Sequence, residues 1–266
     1  MKNKNLLFWI LAIVVTLSMV IYQRMTGPTH PITGKLIVDG ETFKYKLLRS
    51  YGGPDDAEIA IDDPNNKLEG TITLKRYKSY DEWATFPMKH QGGKLIASIP
   101  HQPPAGKVEY VIKLTNGTNT YELSDEPVKI RFKGDVPAYI LIPHILFMFM
   151  AMLFSTRTGI EAIAKGPRLL RYSIWSGALL MAGGLILGPI VQKYAFGAYW
   201  TGWPFGNDLT DNKTALAFIF WVIAVFKLMK NRENRKWALI AALVMTAIYL
   251  IPHSTLGSEI DHTKLP

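Results

Sequence analysis

The sequence predicts a helical membrane protein with an all-β domain inserted after its first helix. Three observations predict this fold class: several long apolar runs, a middle region of strand-like alternation, and basic residues concentrated in particular loops. A membrane helix needs about 20 predominantly apolar residues. The apolar runs approach that length, whereas residues 32–136 contain none of comparable length.

The first apolar run covers Leu6–Tyr22 and follows the basic segment MKNKN. A signal peptide has a shorter apolar region and ends at a cleavage site of small residues. No such site precedes Gln23 and Arg24. We therefore expect residues 1–25 to be an uncleaved signal anchor that crosses the membrane once.

Residues 26–136 are predicted to form a β domain outside the membrane. After the linker TGPTHP, short runs alternate between apolar and polar residues, and turn signals rich in glycine, proline and asparagine separate them. This period of two is typical of half-buried strands. Val108–Leu114 and Asn119–Ser124, on either side of Asn116-Gly117, predict a hairpin.

The number of runs, about eight, and their turn spacing resemble a sandwich of the immunoglobulin or fibronectin type III kind. The resemblance implies an architecture and no particular function. The stretch Lys78–His90 departs from the alternation, and we expect a crossover loop or a short helix there. A binding surface formed by its rings Tyr80, Trp83 and Phe86 is the less favoured alternative.

Residues 137–266 are predicted to form a four-helix membrane domain. Small residues at Ser173, Gly177, Gly184 and Gly188 have the four-residue spacing that lets membrane helices approach closely. Pro143 suits a first helical turn, and Pro189 is expected to bend its helix. The four predicted helices are Tyr139–Phe154, Leu169–Val191, Thr214–Leu228 and Trp237–Ile251.

The segment 196–213, FGAYWTGWPFGNDLTDNK, combines an aromatic cluster with three glycines, a proline and three charged residues. We refer to it as the aromatic loop. Tyrosine and tryptophan suit the headgroup layer, where one end of the ring is apolar and the other is wet. Trp200, Trp203 and Phe205 are the predicted contact residues for a partner.

Charge predicts the orientation. If the N-terminus lies in the cytoplasm, the loops on that side carry eleven basic and two acidic residues, and therefore the whole formal charge of +9. The remaining 19 basic and 19 acidic residues cancel. This follows the positive-inside rule, accounts for the basic loops by contact with anionic lipid, and argues against a nucleic-acid partner. We expect a multi-pass protein of a bacterial inner membrane, with the β domain, aromatic loop and C-terminus in the periplasm. The eleven basic residues are Lys2, Lys4, Arg157, Lys165, Arg168, Arg171, Lys227, Lys230, Arg232, Arg235 and Lys236.

The tetrapeptide LIPH occurs twice, at the start of the second predicted helix and at the end of the fifth. His144 and His253 are therefore expected at the same side of the membrane, near Asp208 and Asp211 of the aromatic loop. Paired imidazoles bind haem iron or divalent metals, and carboxylates complete or orient such sites. The alternative is a structural cluster in which Asp211 or Thr210 caps a helix and Lys213 pairs with a carboxylate.

Function is constrained mainly by exclusion. The chain has no cysteine, which excludes disulfides, thiolate catalysis and iron–sulfur clusters. It has no phosphate-binding glycine loop, nucleophile elbow or HExxH motif. The sequence does not decide whether the protein is an enzyme.

The leading hypothesis is a non-enzymatic membrane subunit or scaffold that binds a membrane or periplasmic protein through its β domain and aromatic loop. The alternatives are a redox protein with haem or metal at His144 and His253, and then lipid or quinone handling.

Overall fold

The computed structural model describes residues 2–252, 257 and 259–264, which divide into two compact units. The β unit contains residues 29–135, residues 195–197 and the described tail from 259 onward. The helical unit contains the other described residues. A β-sheet domain together with long apolar helices confirms the coarse fold class predicted from the sequence.

Two sheets make up the β unit. One has the strand order β1-β2-β4-β8-β7, and the other has the order β3-β11-β9-β5-β6, with β10 paired to β9. Most neighbours are antiparallel, but β3 and β11 run parallel. The strands are β1 Ile32–Val38, β2 Glu41–Leu47, β3 Ser50–Tyr51, β4 Ala57–Asp62, β5 Glu69–Arg76, β6 Ala84–Pro87, β7 Lys89–Gln91, β8 Lys94–Ile99, β9 Lys107–Thr115, β10 Thr120–Glu122 and β11 Val128–Phe132.

A single hydrophobic core is shared by the two sheets. In β9 every second side chain is buried, from Val108 to Leu114, as the alternation in sequence predicts. Leu47 and Ile59 from the first sheet belong to the same core. The burial of these side chains from both sheets is the main favourable term holding the β unit together.

The predicted hairpin is confirmed: Thr120 lies opposite Thr115, and Asn116 Oδ1 accepts hydrogen bonds from the amides of Thr118 and Asn119. The expectation for Lys78–His90 is wrong in part: the chain does cross from one sheet to the other here, but it contains β6 and the start of β7, which were not predicted. Both are edge strands whose side chains are all exposed. A strand without a buried face has no reason to alternate, so its sequence carries no strand pattern.

The described tail packs on the β unit. Glu259 forms ion pairs with both Lys78 and Lys107. The amide of Ile260 donates to the carbonyl of Ala105 at 3.3 Å. Glu259 and Ile260 are therefore held on the β unit by charge and by a backbone hydrogen bond.

Within the described residues, four helical spans are long and apolar enough to cross a membrane. One of them, Leu169–Phe196, joins α3 and α4 through a π-helical segment, Met181–Leu187. There the amide of Gly188 donates to Gly183, five residues back. The next residue, Pro189, has no amide hydrogen for the ladder. The helices are α1 Lys2–Thr26, α2 Ala138–Ile163, α3 Leu169–Leu180, α4 Gly188–Phe196, α5 Leu209–Lys230 and α6 Arg235–Leu250.

The helical unit has two distinguishable ends. At one end, which we call the basic end, Arg157 Nη2 donates to Asn5 Oδ1 at 3.1 Å and Arg235 donates to the carbonyl of Gly166 at 3.0 Å. At the opposite end, which we call the loop end, Gln23 donates to the carbonyl of Tyr249 at 2.9 Å. Since α6 begins at the basic end and finishes at the loop end, it extends from one end of the helical unit to the other.

The contact between α5 and α6 includes two fully buried side chains, Trp221 and Met245, which form an N–H···S hydrogen bond of 3.1 Å.

Three boundaries differ from the sequence predictions. The fifth predicted span is α6, which has 16 residues and is shorter than the four long spans. α2 begins at Ala138, so Pro143 lies in its second turn rather than its first. α5 begins at Leu209, five residues before the predicted start, because Asp208 caps it.

Candidate functional site

The early start of α5 changes the extent of the aromatic loop. α4 continues to Phe196, and α5 begins at Leu209, so the connecting backbone is residues 197–208. Asp208 Oδ1 accepts hydrogen bonds from the amides of Thr210, at 2.7 Å, and Asp211, at 3.3 Å. A carboxylate at this position satisfies amides that the first helical turn leaves free. Asp208 is therefore the cap, rather than the predicted Asp211 or Thr210.

Asp211 lies under the aromatic loop and is only 7% exposed. Its Oδ2 atom accepts hydrogen bonds from the amides of Thr201, at 2.7 Å, and Gly202, at 3.0 Å. The side-chain amide of Gln192, on α4, donates to the same oxygen at 3.1 Å. One buried carboxylate thus connects α4, the loop and α5.

Gly202 is required by this arrangement. A Cβ atom at that position would lie 2.6 Å from Asp211 Cβ and 2.7 Å from Asn212 Oδ1. Contacts this short do not occur between well-packed atoms, so a side chain here would push the loop away from the carboxylate. The glycine lets the loop backbone approach α5 closely.

The tip of the loop is fixed by further hydrogen bonds. Asn212 Oδ1 accepts from the amide of Trp203 at 2.6 Å, and Trp200 Nε1 donates to the carbonyl of Trp203 at 3.1 Å. Trp200 is half-buried, whereas Trp203 and Phe205 are 78% and 83% exposed. Two large rings therefore project from a backbone that buried polar groups hold in place.

Among the described residues, Lys213 forms no ion pair with a carboxylate, contrary to the structural alternative drawn from the sequence. It is 5% exposed and donates to the carbonyl of Ile251 at 2.7 Å and, more weakly, to that of Pro252 at 3.4 Å. These carbonyls follow the last turn of α6, where no helical amide is available to them. The hydrogen bonds of Lys213 thus connect the end of α6 to the first turns of α5.

His144 lies on α2 beside the π-helical segment. Its Nδ1 atom is 2.9 Å from the carbonyl oxygen of Gly183. Because a carbonyl only accepts, Nδ1 carries the hydrogen and Nε2 is the nitrogen with a lone pair. Among the described residues, no three His, Asp or Glu side chains lie close enough to hold a metal. His253 lies outside the described residues, so the shared His144–His253 site stays a prediction.

A second polar cluster lies at the basic end of the helical unit. Arg157 and Glu161, four residues apart on α2, form an ion pair with Nη1 and Oε2 2.6 Å apart. Arg157 is 1% exposed, and its guanidinium lies 4.9–5.6 Å from the ring centres of Phe8, Trp9 and Tyr172. The sequence signal was an arginine just after the apolar run of α2, but the aromatic partners come from α1 and α3.

Comparisons with known proteins give no family. No family model and no curated protein matches the chain. A solved structure titled "Crystal structure of Br derivative BhCBM56" aligns with 33% of this chain and 90% of that chain, at 12% identity and a TM-score of 0.27. A similarity at this level carries no argument about fold or function.

Proposed function

We propose that the protein is a non-enzymatic subunit or scaffold of a bacterial inner membrane that binds a membrane or periplasmic protein. The β unit, as a sandwich of immunoglobulin or fibronectin type III architecture, and the aromatic loop form the binding side. One observation carries the proposal: Trp203 and Phe205 are exposed on a loop that Asp211 fixes from below.

The membrane assignment is supported by the lengths of the helices and by their two ends. The four long spans reach 22–28 residues, enough for the hydrocarbon core of about 30 Å at 1.5 Å per residue. α6 is shorter, yet its hydrogen bonds connect it to both ends of the unit. Five crossings would place the described tail on the side of the β unit. The ion pairs of Glu259 with Lys78 and Lys107 are consistent with that placement.

The orientation rests on the charge difference between the ends. The start of α1, the loops after α2 and α5, and the helix turns next to those loops all belong to the basic end, and together they carry the whole excess charge. Basic loops stay on the cytoplasmic side of bacterial inner membranes. The β unit and the aromatic loop then face the periplasm.

Protein binding is the use that best fits the loop. Tryptophan and other rigid aromatic side chains dominate the energetics of interfaces, because they bury a large area while losing few rotamers. Their contribution is largest when the backbone is already held in the bound conformation. The hydrogen bonds of Asp211 and Asn212 supply that preorganisation. The competing use is anchoring in the lipid headgroup layer.

Site-specific photocrosslinking in native membranes separates these uses. A photoreactive phenylalanine analogue replaces Phe205, and the matched control replaces Phe226, which is 73% exposed on α5 toward the basic end. We expect a discrete protein adduct from position 205 and not from position 226. Combining the probe with Asp211→Ala should weaken that adduct, since the loop loses its fixed shape. If both positions yield lipid adducts alone, the loop is a membrane anchor and the proposal fails.

A redox function with haem or a divalent metal has one supporting observation. The Nδ1–H···O=C bond between His144 and Gly183 is the orientation that ligating histidines use, because it directs Nε2 to the ligand. The protein purified without chelators would show a haem absorption band or a stoichiometric metal by elemental analysis. The His144→Ala variant should lose that signal. If the wild-type protein shows neither a haem band nor a stoichiometric metal, the redox function is excluded.

A further inference from the structure

A cavity of 440 Å³ opens at the basic end, between the start of α1, the end of α2 and the loop that follows α2. Its wall combines three cationic side chains, Lys4, Arg157 and Arg168, with apolar groups such as Phe8. Glu161 is the acidic residue in this wall. The cavity is separate from the aromatic loop, which belongs to the loop end of the helical unit.

Glu161 has both of its carboxylate oxygens occupied. Oε2 forms the ion pair with Arg157, and Oε1 accepts a hydrogen bond from the amide of Arg168 at 2.9 Å. A Cβ at Gly166 would collide with this carboxylate, so a side chain there would have to displace the acid from the partners that hold it. Both carboxylate oxygens of Glu161 are thus used within the protein. Because the wall holds three cationic side chains and this one carboxylate, its net charge is positive.

Arg157 supplies a fixed positive charge behind the cavity. Its Nη2 atom donates to Asn5, and three aromatic rings surround the guanidinium. Nε has no hydrogen-bond partner among the described residues, and Nη1 is held only by the ion pair. Glu161 offsets part of this charge, and the N–H groups of the buried guanidinium that lack hydrogen bonds still favour an acceptor or anion nearby.

The two other cations are exposed at the rim. Lys4 and Arg168 are exposed at the surface and come from different parts of the wall, one from α1 and one from the loop after α2. Arg168 Nη1 is 3.5 Å from Asn5 Oδ1, so a polar contact connects the loop after α2 to α1 at the rim of the cavity. Such side chains can rotate onto the oxygens of a bound phosphate, which lysine and arginine recognise strongly.

We infer that this cavity binds the phosphate-bearing headgroup of an anionic membrane lipid. Lys4 and Arg168 contact the phosphate oxygens, Arg157 contributes its charge from behind, and Phe8 with the neighbouring apolar wall contacts the glycerol and upper acyl carbons. Basic pockets between membrane helices on the cytoplasmic side are suited to such headgroups. Free phosphate shares the recognised chemistry but lacks the apolar portion that Phe8 would contact.

Lipid binding is measured with the full chain in detergent, by native mass spectrometry and thermal unfolding. The probes are phosphatidylglycerol, zwitterionic phosphatidylcholine and inorganic phosphate. The test variant is Lys4→Gln with Arg168→Gln. The matched control is Lys165→Gln with Arg171→Gln, which removes two exposed charges near the same cavity from residues outside its wall.

We expect phosphatidylglycerol to form a retained one-to-one adduct and to raise the melting temperature more than phosphatidylcholine does. The rim variant should bind it roughly tenfold more weakly, whereas the control changes affinity by less than about twofold. Equal weakening in both variants would mean that only diffuse charge attracts lipid, and would overturn the inference. Stabilisation by inorganic phosphate to the same extent as by phosphatidylglycerol would overturn the lipid assignment.

Discussion

At the scale of single residues, Asp211 determines the shape of the aromatic loop. Burying a carboxylate is costly unless hydrogen bonds replace its hydration, and here two backbone amides and one side-chain amide do so. Each donor would in turn be left unsatisfied if the carboxylate were removed. The carboxylate and the loop backbone therefore stabilise each other.

Asp211→Ala should destabilise the helical unit by about 3 kcal/mol or more, because a charged acceptor is lost and buried donors remain. Asp211→Asn should cost only about 1 kcal/mol, since its carbonyl oxygen can occupy the position of Oδ2 without the charge. Thermal unfolding of the detergent-purified protein measures both. Asn207→Ala, an exposed change in the same loop, is the control and should be near neutral. Equal stability of the Ala and Asn variants would contradict this account of Asp211.

The sequence identified which polar residues are important here but not their partners. Asp208, Asp211 and Lys213 stand out as charges beside apolar runs, and all three are buried in the structure. Their contacts depend on where α5 begins and on where α6 ends, because Lys213 bonds to Ile251 and Asp211 to Thr201. No local spacing encodes those distances, so the sequence alone suggested a carboxylate as the partner of Lys213 where the structure has a backbone carbonyl.

At the scale of elements, the π-helical segment and its glycines set how closely the helices approach. A Cβ at Gly183 would lie 2.9 Å from Phe147 Cβ and 3.1 Å from the amide nitrogen of Met148, on α2. At Gly177 the nearest atom would be Trp221 Cβ at 3.6 Å, an ordinary contact. The approach of α2 therefore depends on the absence of a side chain at Gly183, whereas Gly177 leaves room for a methyl group.

Gly183→Ala should lower stability by about 1–3 kcal/mol, because α2 must move or strain to admit the methyl group. Gly177→Ala is the matched control in the same continuous helix, and should be neutral or slightly stabilising through its better helix propensity. The melting temperatures of the two variants in the same detergent decide the comparison. A larger loss at Gly177 than at Gly183 would show that the helix packing described here is incorrect.

The tail is the second element whose contacts have a measurable consequence. Burial acts to raise the pKa of Glu259, but hydrogen bonds from Lys107 and Lys78 outweigh it and hold this pKa below its ordinary 4.5. Burial, and then the charge of Arg131, lower the pKa of Lys107. A carboxylate with a lowered pKa stabilises the fold above its ordinary pKa, and this stabilisation is lost as pH falls through the lowered value.

We therefore expect the tail to dissociate from the β unit on acidification below about pH 4.5. Hydrogen–deuterium exchange of the peptide containing residues 259–264, corrected for the intrinsic pH dependence of exchange, should show protection at pH 7 that decreases toward pH 3. The Glu259→Gln variant should be poorly protected throughout. Protection of wild type that persists unchanged at pH 3 would exclude the ion pairs as the attachment.

Elements with a buried face were predictable, and those without one were not. β9 and its hairpin partner were found because every second side chain enters the core. β6 and β7 were missed because their side chains are all exposed and only backbone pairing defines them. Likewise the start of α5 was placed late, since its first turn is polar and is fixed by the Asp208 cap rather than by hydrophobicity.

At the scale of the whole molecule, charge and hydrogen bonding give a consistent arrangement. The basic end of the helical unit carries the excess charge, while the loop end carries the aromatic loop and the buried polar residues beneath it. The proposed function requires the β unit and the aromatic loop to face the same compartment. It also requires the basic loops, with their proposed lipid site, to face the other one.

Single-cysteine labelling tests this requirement most directly, because the natural chain contains no cysteine that must first be removed. Asn119→Cys reports on the β unit, Asn207→Cys on the aromatic loop, and Arg232→Cys on the basic end, and all three positions are exposed. In spheroplasts, a membrane-impermeant maleimide should label positions 119 and 207 but not 232, which should react only after permeabilisation. Labelling of position 207 together with 232, and apart from 119, would contradict the account.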